Sequence, residues 1–179
     1  ELKTGSNFIL TSDEIEGDET RVSVSYKKLP QEVKKGGTIF LRDGRVKLEV
    51  LKVESKNIHC KIIEGGEIKS KAGVNVPNAY LSISCLTDKD KKDLKFGLEN
   101  DVDFMAISFV RKASDVLELR NLIKSKPTIK IISKIETGEA IENIEEIIKV
   151  SDCVMVARGD LATEVPAEEV PILQKRIIK

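Results

Sequence analysis

The sequence has no tryptophan, two tyrosines and five phenylalanines, so aromatic residues make up 4% of the chain. Proteins that grip single-stranded nucleic acid set aromatic platforms beside a basic groove. Residues 1–78 offer only Phe8, Tyr26 and Phe40 for that purpose, among charges of both signs. An excess of one charge is lacking too. Thirty Lys and Arg meet thirty Asp and Glu, for a formal net charge of +0, so no global field exists to hold nucleic acid or an anionic membrane by counterion release. Any phosphate binding must be local. No run of about 18 apolar residues occurs, as a membrane-spanning helix would need. The N-terminus, Glu1-Leu2-Lys3-Thr4-Gly5, lacks the apolar stretch of a signal peptide, and a cytoplasmic location is expected. Cys60, Cys85 and Cys153 are few, odd in number and far apart, which argues against a disulfide framework or a zinc site and for buried thiols. The first residue is not Met, and an excised piece of a longer protein is expected.

What is present is a globular composition, with 40% hydrophobic and 34% charged residues over 179 positions, enough to bury a core. From Asn7 to about Val76 apolar residues recur with a period near two. The expected strands are Phe8–Leu10, Arg21–Tyr26, Thr38–Leu41, Val46–Val53 and Ile58–Ile63, separated by turns at Asp43-Gly44, Glu54–Asn57 and Glu64-Gly65-Gly66. Strands this short and evenly spaced predict a small all-β barrel or sandwich. Past Pro77 helices and strands alternate. Thr87 caps a helix to about Asn100, and a buried strand Val102–Val110 follows. Ser114 caps a helix whose Val116, Leu119, Leu122 and Ile123 share a face. Then come strand Ile129–Ile135, a helix around Ile141–Val150, strand Cys153–Ala157 and a last helix to Lys179. This βαβαβα order demands a parallel sheet, and three strands are too few to close a barrel. The expected division is a β domain over 1–78 and a partial α/β barrel over 79–179, joined by the turn-rich seam Lys71–Asn78.

Lys134 and Glu136 differ by two positions at a strand end, so both side chains leave the same face. In parallel α/β folds the C-terminal strand ends are where active sites collect. Taken alone, a surface ion pair accounts for these two residues equally well. The next strand runs Val154-Met155-Val156-Ala157-Arg158-Gly159-Asp160 and also ends in a carboxylate, so Glu136 and Asp160 are expected to converge. Two hard carboxylates suit Mg²⁺, which keeps its other positions for water and substrate oxygens. Gly159 permits close approach of the backbone to an anion. The single histidine, His59, alternates with apolar neighbours and reads as structural. Lys89, Lys91, Lys92 and Lys95, interleaved with Asp88, Asp90 and Asp93, read as a solvated helix face.

The run Ile129–Ile141 (IKIISKIETGEAI) resembles the segment around the catalytic lysine of pyruvate kinases. Met155–Leu161 (MVARGDL) is similar to that family's second metal-ligand strand, and Ala106–Asp115 and Gly73–Pro77 resemble further family segments in the same order. The resemblance covers essentially the whole chain. It implies a (β/α)₈ barrel interrupted after its third strand by a mobile β lid. Residues 1–78 correspond to the lid without its start, and 79–179 to helix 3 through the helix after strand 6. The implied activity is phosphoryl transfer between phosphoenolpyruvate and ADP, giving pyruvate and ATP. Lys134 is then the catalytic cation, and Glu136 and Asp160 hold Mg²⁺ or Mn²⁺. Ala157, Arg158, Gly159 and Asp160 receive the substrate. Ser108 either lines the same site or serves as a packing hydroxyl. Lys71 faces the nucleotide, although Ala72 and Arg42 stand where many members have lysine and aspartate. The resemblance also implies a homotetrameric parent that uses K⁺ bound outside these residues, and a chain inactive by itself. Two other readings compete: a Mg²⁺-dependent aldolase or lyase of the phosphoenolpyruvate/pyruvate barrel group, and a non-catalytic β-barrel binding module.

Overall fold

The computed structural model describes residues 1–77 and 79–179. Asn78, the last residue of the expected seam, lies outside the described residues. The chain forms two compact units, Glu1–Leu81 and Ser82–Lys179.

The first unit contains β1 (Asn7–Thr11), β2 (Arg21–Ser23), α1 (Leu29–Glu32), β3 (Thr38–Leu41), β4 (Val46–Glu54), β5 (Asn57–Glu64) and β6 (Val74–Asn75). The strands pair in the order β2-β1-β5-β4-β3-β6, antiparallel except for β1 with β2. This order runs from edge to edge, and no pairing of β2 with β6 closes it into a barrel among the described residues. Alternation does the sorting: Phe8, Leu10, Ile39, Leu41, Val46, Leu48, Val50, Ile58, Cys60 and Ile62 turn to one side and form a common core. Each large apolar side chain so buried contributes roughly 1.5–3 kcal/mol. Two features depart from the expected strands. The third position of β2 ends it at Ser23, whose hydroxyl donates to the carbonyl oxygens of Asp13 and Ile15. The four-residue helix α1 was not foreshadowed by periodicity, although Pro30 in its first turn is a helix-start signal. The expected seam takes part in the sheet, because Val74 and Asn75 pair with Leu41 and Phe40.

The second unit contains α2 (Asp88–Glu99), β7 (Phe104–Ile107), α3 (Ala113–Leu122), β8 (Lys130–Ile135), α4 (Gly138–Glu142), α5 (Ile144–Val150), β9 (Cys153–Val156), α6 (Arg158–Leu161), a 3₁₀ turn (Ala167–Glu169) and α7 (Val170–Ile178). Its sheet is parallel, in the order β7-β8-β9. Thr87 caps α2 as expected: the Asp90 N–H donates to its hydroxyl, and its own N–H donates to the Asp90 carboxylate. For α3 the cap is different. Asp115, not Ser114, accepts the N–H groups of Arg111 (2.9 Å) and Lys112 (3.3 Å), since a carboxylate can satisfy two orphan donors at once and favours the positive helix end. Val116, Leu119 and Ile123 are buried, but Leu122 is exposed. The single helix expected around Ile141–Val150 is two, broken at Asn143, whose side-chain amide donates to the Arg111 carbonyl oxygen (3.0 Å).

The strand expected to be buried over Val102–Val110 is shorter and only half covered. Phe104 is 55% and Met155 44% exposed, while Ile131, Ser133 and Ile135, pointing the other way, are at 0%. The helices of this unit pack on one sheet face, and the opposite face is not covered by the unit's own described residues. The expectation of buried thiols holds for Cys60 and fails for Cys153, which lies exposed on that face, with Cys85 intermediate. Burial pushes the Cys60 and Cys85 thiols up to about 12. Among the described residues no helix is long and apolar enough to cross a membrane.

Candidate functional site

β8 ends at Ile135, and the side chains of Lys134 and Glu136 leave the sheet on one face, as their spacing requires. Lys134 Nζ lies 2.5 Å from Glu136 Oε1. This is no surface ion pair, because the Glu136 side chain is 1% exposed and that of Lys134 26%. The ammonium also donates to Ser108 Oγ, at 3.0 Å. The second carboxylate oxygen, Glu136 Oε2, accepts the backbone N–H of Phe109 at 2.6 Å. Ser108, Phe109, Lys134 and Glu136 thus form one hydrogen-bonded group at the C-terminal ends of neighbouring strands β7 and β8, whose register pairs Ile107 with Ser133. Of the expected site residues, the structure brings these three side chains together.

The backbone of this group is unusual at Phe109, which has φ +53°. A bulky residue in the left-handed region costs about 1–3 kcal/mol and persists only where its surroundings enforce it. Four bonds fix the segment after β7. The Cys85 thiol donates to the Ser108 carbonyl oxygen (3.0 Å), Phe109 N–H to Glu136, Arg111 N–H to Asp115, and Asn143 to the Arg111 carbonyl. Neither Phe109 nor Cys85 could be singled out from sequence. Their partners lie far away along the chain, and no local pattern announces a left-handed phenylalanine.

β9 lies on the other side of β8, with Met155 opposite Lys134 and Val156 opposite Ile135. It leads directly into α6, a single turn that contains Arg158, Gly159 and Asp160 and starts after Ala157. The first helical donor is Leu161 N–H, to the Ala157 carbonyl at 2.9 Å, so the N–H groups of Arg158, Gly159 and Asp160 precede the intrahelical bonds. The Asp160 carboxylate takes no hydrogen bond or ion pair from the described residues. A Cβ on Gly159 would meet no described atom within 4 Å, and its φ is not left-handed. Neither a turn nor packing within the chain therefore demands glycine there. Among the described residues no group of three or more His, Cys, Asp or Glu forms a ready-made metal cage.

Lys71 belongs to the first unit, where it is exposed with φ +64°. The hairpin between β3 and β4 is tied nearby: Arg42 N–H donates to the Gly73 carbonyl oxygen, and the Arg42 guanidinium to the Glu67 carbonyl oxygen at 2.9 Å. Arg42 is thus engaged in stapling its own turn. His59 Nε2 lies 3.2 Å from the Glu54 carboxylate on the neighbouring strand of the first unit. A small cleft of about 100 Å³ lined by Asp101, Val102, Asp103, Lys126, Thr128 and Ile129 lies before β7 and β8 begin, at the strand ends opposite to Lys134.

Comparison with known proteins matches residues 1–179 to the family described as pyruvate kinase, barrel domain. A pyruvate kinase of Clostridium perfringens is 52% identical over 182 residues, covering 100% of this chain and 38% of its own length. A pyruvate kinase of Thermotoga maritima is 52% identical over 180 residues, covering 100% of this chain and 39% of its own. One from Staphylococcus aureus is 44% identical, with 31% of its length covered. The chain therefore spans less than two fifths of the curated relatives it matches.

Proposed function

The chain belongs to the pyruvate kinase family, and from that premise we propose that the whole protein transfers a phosphoryl group between phosphoenolpyruvate and ADP, giving pyruvate and ATP. The observation that carries this reading is the buried Glu136, held between Lys134 and the Phe109 N–H at the strand ends. Phosphoryl transfer asks little covalent chemistry of a protein and much positioning and charge neutralisation. An ammonium has three N–H donors. Two of those on Lys134 are engaged, by Glu136 and Ser108, and the remaining one is available to the phosphoryl group in flight or to the enolate oxygen it leaves behind. That enolate takes up a proton to become pyruvate.

Glu136 and Asp160 are the residues for Mg²⁺ or Mn²⁺. The donor set suits such an ion: Glu136 just past β8 and Asp160 in the turn after β9 are hard carboxylates, and among the described residues no group of three His, Cys, Asp or Glu fills a cage, so that water and substrate oxygens complete the shell. When bound, the ion neutralises charge on the phosphoryl and carboxylate oxygens. The free N–H groups of Gly159 and Asp160, with Ala157 and Arg158 beside them, receive the substrate carboxylate, and the open space at Gly159 leaves room for it. Ser108 lines this site by holding Lys134. Lys71, in a lid formed by residues 1–78, faces the nucleotide. Family membership alone supports a (β/α)₈ barrel completed by other parts of the protein, a K⁺ site outside this chain, and a homotetrameric, cytoplasmic parent.

The test is pyruvate formation from phosphoenolpyruvate and ADP, with Mg²⁺ and K⁺, by the intact protein and its Lys134→Met variant. Loss in the variant by about 10²-fold or more supports the reading, at the scale typical for one electrostatic group. An inactive parent or an active variant overturns it. The 179-residue chain alone forms no pyruvate, and metal-dependent turnover by it would refute that part.

A further inference from the structure

We propose that Cys85 is a positioning residue of this site, acting on Glu136 through the peptide group between Ser108 and Phe109. The inference rests on the reading just given for Glu136. The carbonyl oxygen of Ser108 and the N–H of Phe109 belong to one planar, trans peptide unit. Cys85 Sγ donates to its oxygen end at 3.0 Å, and Glu136 Oε2 accepts from its nitrogen end at 2.6 Å. The plane is clamped at both ends, and its orientation sets φ of Phe109, which is +53°. Rotating the peptide toward ordinary backbone would break both bonds at once. The thiol therefore holds in place a conformation that the phenylalanine does not favour.

A donor on the carbonyl oxygen also polarises the peptide, which strengthens the N–H as a donor at the far end. The Ser108 hydroxyl accepts from Lys134, and Lys134 in turn pairs with Glu136. These bonds close a ring of Ser108, the 108–109 peptide, Glu136 and Lys134, to which Cys85 is the outside support. Cys85 touches no reacting atom. Its half-buried position and its thiol, pushed up to about 12 by burial, suit a permanent donor.

The experiment compares the intact protein with its Cys85→Ala and Cys85→Ser variants, without substrates. Two quantities are read: Mn²⁺ affinity by electron paramagnetic resonance, and hydrogen–deuterium exchange of the peptide containing Phe109 in the metal-free protein. Cys85→Ala should weaken Mn²⁺ binding about 3–10-fold and raise exchange at Phe109 by a similar factor, the size expected when one neutral hydrogen bond is lost. Cys85→Ser, which keeps a donor, should restore most of both. Equal loss in the two variants would mean that Cys85 only fills space, and no change in either would mean that the peptide needs no clamp. Either result overturns the proposal. If the parent binds no Mn²⁺ and makes no pyruvate, the proposed function fails, while exchange at Phe109 still decides the role of Cys85.

Discussion

In Glu1–Leu81 the apolar side chains of β1, β3, β4 and β5 close over one another, and Phe8, Leu10, Ile39, Leu48 and Ile58 are all at 0% exposure. In Ser82–Lys179 the helices cover one sheet face, and the other carries Phe104, Met155 and Cys153 in the open. The alternating residues of the first unit bury one another, whereas in the second unit β7 and β9 are apolar on both faces but covered on one. Parallel sheets are built to be buried on both sides. The hydrogen-bonded group of Ser108, Lys134 and Glu136 thus lies in the unit whose sheet is open on one face.

The largest expected effect tests the closed core. Phe8→Ala should destabilise the first unit by about 3–5 kcal/mol, as truncating a fully buried phenylalanine does, read by urea unfolding followed by circular dichroism. A cost below about 1 kcal/mol would show that this core is less complete than its burial suggests. Next comes the buried carboxylate. Glu136→Gln should lower the intact protein's turnover about 10²–10³-fold and destabilise the second unit by about 1–3 kcal/mol, because it leaves Lys134 half-buried without its counter-charge. Unfolding curves and initial rates read the two effects separately.

A smaller effect concerns the far end of the same sheet. Asp152 accepts the Ile131 N–H and pairs with Arg120 at 2.9 Å and with Lys130 at 3.3 Å, which ties α3, β8 and β9 together. The Ile131 N–H, followed by Arg120, lowers the Asp152 carboxyl from 3.8 to about 2. A group depressed in the folded state contributes above its ordinary value and loses that contribution as pH falls. Its stabilisation, about 1 kcal/mol after solvent screening, should be present above pH 4 and vanish between about pH 4 and 2. Asp152→Asn should flatten acid unfolding in that window, and an unchanged acid limb in the variant would count against the ion pairs. The smallest effect sharpens the contrast with Phe8. Phe104→Ala should change the stability of the 179-residue chain by no more than about 0.5 kcal/mol, as at other exposed sites. The same substitution in the intact protein should cost several times more if the rest of the protein covers this face.

Legibility of the molecule in its sequence follows the range of the forces involved. β3 appears at its expected limits and β4 and β5 within a residue or so, because alternation of period two is a local signal. Lys134 and Glu136 could be placed on one face for the same reason. Leu122 and Asn143 could not be placed, since helix periodicity does not say how far a covering strand extends or that an amide will reach Arg111. The Phe109 backbone and its thiol support depend on Cys85 and Glu136 arriving from separate segments. Such long-range coincidences have no signature in a window of neighbouring residues.

The sparse aromatic content has an optical consequence. The chain has no tryptophan, and its two tyrosines, Tyr26 and Tyr80, both fall in the first unit. The Tyr26 hydroxyl donates to the Glu32 carboxylate, 2.9 Å from each oxygen, a contact that quenches phenol emission. Ultraviolet fluorescence of this chain therefore reports on Glu1–Leu81 and brightens when the Tyr26–Glu32 bond opens. The unit bearing Lys134 and Glu136 has only the weak emission of Phe96, Phe104 and Phe109, and a tryptophan placed there would give each unit a colour of its own.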